Sequence, residues 1–322
     1  MKLGVIFHPR FAPETLVNYA RRAEAAGFDE LWLWEDAFLA GALTSAATVL
    51  ANTERIAVGI GLMPITVRNP LFVAMEMTTL ARLYPGRFLP GFGHGVDAWL
   101  KQIGAAPPST LNALAETIPA IRALLRGETV NAHGSYIQLD KVKLAHTPSI
   151  MPPIYIGAMR EKTLRLAGRI GDGTIVTEMS SPAYVRWAKT HIQAGMAESG
   201  RADNRLVVYV QCKIDPANGV SARQKVRQMF SPGLIWAEPH LQALGIADEV
   251  KALHEKYGMA MAEHIPDAWL DDLCAAGTPE QAASTIQHLA DAGADSIVLQ
   301  PLDGDPTCLD EYIGYLLPLL KR

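Results

Sequence analysis

The sequence is poor in cysteine, in clustered charge and in long apolar runs, and each shortage removes a class of function. Three cysteines occur in 322 residues, Cys212, Cys274 and Cys308, with no metal-ligating spacing between them. Their odd number suits a reducing cytoplasm better than a disulfide framework. Lysine and arginine form no cluster and the net charge is −4, which argues against nucleic acid or a membrane surface as partner. No apolar stretch approaches the roughly 18–20 residues needed to span a bilayer. The opening MKLGVIFHPRFAPE has too short an apolar run before His8 and Pro9 for a signal peptide, so a cytoplasmic location is expected. The nine histidines lack H-E-x-x-H and H-x-H spacing, and no Ser-His-Asp elbow, Walker loop or zinc knuckle occurs. Metal and covalent hydrolase chemistry are disfavoured, and no metal site is expected.

What is present is a regular alternation of short β-branched or aromatic runs with longer amphipathic segments. The runs 3–7, 30–34, 56–61, 86–93, 153–158, 173–177, 205–214 and 295–302 read as strands. Helices are expected over 14–27, 42–52, 69–84, 111–127, 161–170, 182–199, 279–293 and 309–322. In the first, Leu16, Tyr19, Ala20 and Ala23 recur at helical spacing before a glycine stop. Residues 128–144 predict a hairpin around His133-Gly134. Residues 215–277 are less regular, contain helical fragments, and read as an insertion rather than a second domain. The expectation is one domain over 1–322, with insertions after strands four and seven. Eight strand–helix units close naturally into a (β/α)8 TIM barrel, an α/β fold. A doubly wound sheet is the alternative, since strand order is not written in the letters. In a barrel the chemistry lies at the carboxyl ends of the strands.

Four stretches at those ends carry weight. GFGHGV (91–96) has glycines at alternate positions after the fourth strand. It is not the G-x-G-x-x-G of a dinucleotide turn, which follows the first strand. Alternate glycines strip side chains from one face, so either a flat or anionic ligand touches the backbone or the loop is merely tight. WLWEDAF places Glu35 and Asp36 at the end of strand two, and only one of two adjacent strand residues faces the barrel mouth. Gly59 and Gly61 weaken the third strand and leave room for something, or mark a bulge. GAMREK opens a helix after strand five, whose free N–H groups and Lys162 suit a phosphate, or only a helix start.

Together these stretches, with AEAAGFDELWLWED, ERIAVGIGLMPITVRNP, TTLARLYPGRFLPGFGHG, RALLRGETVNAHGSYIQL, PPIYIGA and LAGRIGDG in that order, resemble the bacterial-luciferase-like oxidoreductases. Within that family the style is that of the branch using deazaflavin coenzyme F420, the methylenetetrahydromethanopterin reductases and F420-dependent glucose-6-phosphate dehydrogenases. The match is dense over about residues 1–180. The resemblance implies an eight-stranded barrel with the ring in its mouth, and a homodimer. It implies Asp36 beside the cofactor, a non-prolyl cis peptide within Gly61-Leu62-Met63 behind the ring, and His94 and Gly95 in contact with it. Phosphate-side contacts fall on Gly157, Ala158, Met159, Arg160, Lys162 and Thr177.

The departures are as informative. Where the sugar-phosphate dehydrogenases carry a catalytic histidine after the aspartate, this chain has Ala37, and their catalytic glutamate aligns with Val96. The Gly-Pro before the phosphate-site lysine is replaced by Arg160-Glu161. Glucose-6-phosphate chemistry is therefore not expected, and the proton donor must come from elsewhere. The expected candidates are His94, Glu35 and His8, each at a strand end, with histidine best matched to neutral pH. Trp34, Trp99 and Trp236 are candidate walls of a substrate pocket. The expected function is hydride transfer between F420 and a small organic substrate. The alternatives are an FMN-dependent monooxygenase using reduced flavin and oxygen, and a flavin-binding barrel without turnover. A phosphate-handling isomerase or aldolase ranks lower, since no Schiff-base lysine stands at a strand end.

Overall fold

The computed structural model describes residues 1–302 and 304–320. Its strands are β1 (Lys2–Ile6), β2 (Glu30–Leu33), β3 (Ala57–Pro64), β4 (Phe88–Gly93), β5 (Val130–His133), β6 (Gln138–Val142), β7 (Tyr155–Gly157), β8 (Gly173–Val176), β9 (Arg205–Ile214), β10 (Ala275–Gly277) and β11 (Ser296–Pro301). Eight of them form a closed parallel ring in the order β1, β2, β3, β4, β7, β8, β9, β11, which returns to β1. The TIM barrel is thus the architecture, and the doubly wound alternative falls away because β8 pairs with β9 and closes the sheet.

Each crossover helix buries an apolar stripe against the ring. Leu16–Ala26 buries Leu16, Tyr19, Ala20 and Ala23, the residues at helical spacing, and stops at Gly27 with φ of 89°. Helices Ala42–Asn52, Glu161–Ile170 and Pro182–Ser199 match their expected limits. Thr110–Leu125 keeps Pro119 inside it. The closing segment runs through Cys308–Glu311, a π-helical turn at Tyr312–Leu316 and Leu317–Leu320, and its last two expected residues lie outside the described ones.

The barrel has two unlike ends. At the amino end the buried Glu30 carboxylate accepts from Trp32 Nε1 at 2.9 Å and Ser296 Oγ at 2.8 Å, and pairs with Arg205. Arg205 also reaches Tyr155 Oη at 3.2 Å. Above this plug Ile6, Trp32, Leu89, Tyr155, Val207 and Val298 fill the interior, so the barrel is packed there rather than hollow. Gly59 has its explanation here: a Cβ on it would lie 2.2 Å from the Trp32 ring.

Two segments leave the ring. β5 and β6 form the antiparallel hairpin, held to helix Thr110–Leu125 by Glu116, which accepts from the N–H groups of Ser135, Tyr136 and Ile137 at 2.8–3.1 Å. Residues 215–277 hold the helices Val220–Leu234, Glu238–Leu244, Ala247–Tyr257 and Asp267–Leu273. Contrary to a reading without strands there, they also contain β10, which pairs with Cys212–Ile214 of β9 beyond the last residue that β9 shares with β8. Three residues of Ala-Ala-Gly carry no β-propensity, so nothing local announces this strand. Val226, Phe230, Leu241 and Leu270 pack the helices onto Met179 and Leu302, just past the carboxyl ends of β8 and β11.

Candidate active site

At the carboxyl end of the ring lies a cavity of about 520 Å³. It is walled by the ends of β2, β3, β4, β7, β8, β9 and β11, the face on which a barrel of this kind places its chemistry. Three features shape it. Glycines strip its floor: the Gly61–Leu62 peptide is cis, and the Leu62 side chain occupies the space that side chains on Gly93 and Gly157 would need, 2.1 and 2.4 Å from their Cβ positions. Buried polar atoms lack partners: His94 Nε2 and Tyr209 Oη have no hydrogen bond, although Tyr209 is only 4% exposed. A helix start completes it: Met159, Arg160 and Thr163 line the wall at the start of helix Glu161–Ile170, whose N-terminus no side chain caps. Free amides there attract an anion.

Most residues singled out from the sequence converge. Glu35, Asp36, Gly61, Leu62, His94, Gly95, Gly157, Ala158, Met159, Arg160 and Thr177 all line the cavity. Three do not. Met63 is 1% exposed and faces the barrel–helix core, because adjacent strand residues alternate. Lys162 is exposed, one residue into the helix and outside the wall. His8 stands off the lining, its ring edge-on to Trp34 with centroids 5.0 Å apart and its Nδ1 accepting from Arg10 N. Burial, reinforced by Arg10, lowers its pKa to about 4, so it is neutral near pH 7.

The three expected proton donors are thus unequal. Glu35 is bound at both oxygens by Arg68, at 2.6 Å each, and accepts from Ala42 N at 3.2 Å, so it organises the loop after β2. Burial lowers the pKa of His94. Among the tryptophans, Trp34 lines the main cavity and Trp99 a neighbouring one of about 240 Å³, whereas Trp236 is 74% exposed and lines neither.

The sequence reading missed Thr163, Ile175 and Tyr209 as wall residues and gave Glu178 no role. Ile175 and Tyr209 sit inside strands β8 and β9 rather than past their ends, so a search of strand termini passes over them. Glu178 follows Thr177 and has no side-chain partner among the described residues. Burial first, and the Asp36 charge second, raise its pKa, with only its own backbone N–H opposing. On the same side His240, from the insertion, stacks on Tyr184 at 3.8 Å and brings Nε2 to 3.4 Å from Thr177 Oγ1. Glu238 of the same helix pairs with Arg160 at 3.3 Å. No group of three or more potential metal ligands occurs among the described residues, and none of their helices is long and apolar enough to cross a membrane.

This geometry accords with what comparison finds. The 5,10-methylenetetrahydromethanopterin reductase of Methanolobus tindarius is 31% identical over 307 residues, covering 92% of this chain and 93% of that one. The F420-dependent glucose-6-phosphate dehydrogenase of Kineococcus radiotolerans is 26% identical, over 97% and 94% of the two chains. In fold, the coenzyme F420-dependent tetrahydromethanopterin reductase of Methanopyrus kandleri superposes with a TM-score of 0.81 at 21% identity, over 98% of each chain. The profile of the luciferase-like monooxygenases matches residues 1–296, and the chain belongs to that family.

Proposed function

We propose that this protein is an F420-dependent oxidoreductase acting on a small organic substrate. The observation that carries the reading is the glycine-floored cavity with unpartnered polar atoms on its wall. A flat heterocycle would lie against Leu62, whose side chain fits only because Gly93 and Gly157 leave it room, and its polar edge would satisfy His94 Nε2. Asp36, Gly61, Leu62, His94 and Gly95 would hold the ring. Gly157, Ala158, Met159, Arg160 and Thr177 would hold the anionic tail at the uncapped helix N-terminus. When bound, the deazaflavin exchanges a hydride with the substrate, and the protein's part is placement and proton supply. The names of the relatives support the F420 reading. The family's own description supports the second one, an FMN-dependent monooxygenase.

Titration of the purified protein with F420 and with FMN, followed by ring fluorescence or absorbance, separates the two. Micromolar or tighter F420 binding with weak FMN binding supports the reading, and a screen for substrates that consume reduced F420 then follows. Preference for FMN overturns it in favour of the monooxygenase. F420 binding without turnover on a broad panel leaves a binding barrel. The assembly that fits is a homodimer: Phe72, Met75 and Leu83 are exposed on one face of helix Pro70–Leu83. Light scattering of the eluting protein tests it, and a monomer mass refutes it.

A further inference from the structure

The cavity needs an acid, and the residues at the family's usual positions, Ala37 and Val96, cannot be one. Nor does the geometry leave it to the expected donors. Both Glu35 oxygens are engaged by Arg68, His8 stands off the wall, and burial disfavours the protonated form of His94.

We infer that Glu178, at the carboxyl end of β8, is the proton donor of the site, on the wall of the cavity that Asp36 and Tyr209 also line. The inference rests on the oxidoreductase reading. Three observations place it. Glu178, Asp36 and Tyr209 line one cavity, from β8, β2 and β9 respectively. Glu178 carries no cation: Arg68 is committed to Glu35, Arg160 to Glu238 and Arg205 to Glu30. Tyr209 Oη is buried and unpartnered. Burial first, and the Asp36 charge second, favour the neutral form of the Glu178 carboxyl group.

The step balances as follows. With reduced F420 bound, a hydride would be supplied to the electrophilic carbon of a C=X group in the substrate. The π pair moves to X, which takes the proton from the Glu178 carboxyl group, forming C–H and X–H bonds. The cofactor is oxidised by two electrons and the substrate reduced by two. The Glu178 carboxylate regains its proton from water through the cavity mouth.

Infrared titration of the ligand-free protein tests the protonation without any cofactor. An acid carbonyl band persisting near pH 7, lost in Glu178→Gln and titrating at lower pH in Asp36→Asn, is expected. A wild-type spectrum without that band, or a band that Glu178→Gln leaves in place, overturns the inference. On the first substrate returned by the F420 screen, Glu178→Gln should lower kcat by about 10²-fold or more with KM little changed. It should also remove the alkaline limb of the pH profile while F420 fluorescence quenching stays intact. Full activity with the limb retained overturns the donor role. Absence of F420 binding by the wild type, with the acid band present, instead overturns the oxidoreductase reading alone. Circular dichroism of both variants confirms that the fold persists.

Discussion

A Cβ on Gly61 would lie 2.2 Å from the hydroxyl oxygen of Tyr209, which reaches the cavity from the middle of β9. Gly61 is thus a socket for an aromatic tip, and the tip has no other partner. Gly61→Ala should cost about 1–3 kcal/mol, the range for overpacking a filled interior. It should also weaken F420 binding. Tyr209→Phe in the same chain removes the clashing oxygen and should recover part of the stability. Urea denaturation of the single and double variants measures both effects.

The plug at the amino end predicts a loss without any effect on chemistry. Glu30→Ala strands the Arg205 guanidinium and removes the acceptor of Trp32 Nε1 and Ser296 Oγ. Breaking a buried pair by deleting one partner costs about 3 kcal/mol. The denaturation midpoint should fall while the F420 dissociation constant, measured well below the transition, is unchanged.

Glu35 offers a direct contrast with Glu178. Glu35→Gln breaks a charge-assisted fork to Arg68 that is only partly exposed, and should cost about 1–2 kcal/mol. The pH dependence of turnover should keep its shape. A lost limb in Glu35→Gln would return this carboxylate to the list of donors.

Histidine burial sets the acid sensitivity of the fold. Burial lowers His240 to about 3, outweighing its bond with Met179, which raises it. In the unfolded chain its pKa is near 6.5, so between about 6.5 and 3 the unfolded state binds more protons. Stability conferred by the neutral ring is therefore complete above pH 6.5 and is lost as pH falls. At pH 5 the loss reaches about 2 kcal/mol, and His8, lowered to about 4, adds to it with the same sign. His240→Phe keeps the stack on Tyr184 and should flatten the slope of denaturation free energy between pH 7 and 5.

The thiols give a simple check on packing. Cys212, Cys274 and Cys308 are all buried, and burial first of all raises each pKa, pushing Cys308 up to about 12. Thiolate is the reactive form. Ellman's reagent should therefore label none of them in native protein within minutes and all three in urea.

Much of this was legible because alternation of period two and period 3.6 is a local property. The crossover helices and the eight ring strands follow from it, and the site residues follow because barrel strands all point the same way. What escaped depends on contacts made far along the chain. Gly59 reads as a weak strand position until Trp32 of β2 is seen to fill it. Tyr209 escapes because it lies inside β9, and only the closed barrel puts it on the cavity wall. Glu178 escapes because burial first, and then the charge of Asp36, 142 positions away by number, set its properties. β10 exists only because β9 outruns β8 and leaves an edge to be covered.

The seven-residue helix Glu238–Leu244 touches residues of the cavity wall twice, through Glu238 to Arg160 and through His240 to Thr177. Residues 215–277 are therefore not an interchangeable module laid over a finished barrel. A chimaera that takes this segment from a relative inherits its contacts but not the positions 160 and 177 that receive them. Such a hybrid would fold its ring and misplace one wall of the cavity, unless the ends of β7 and β8 travel with the insertion.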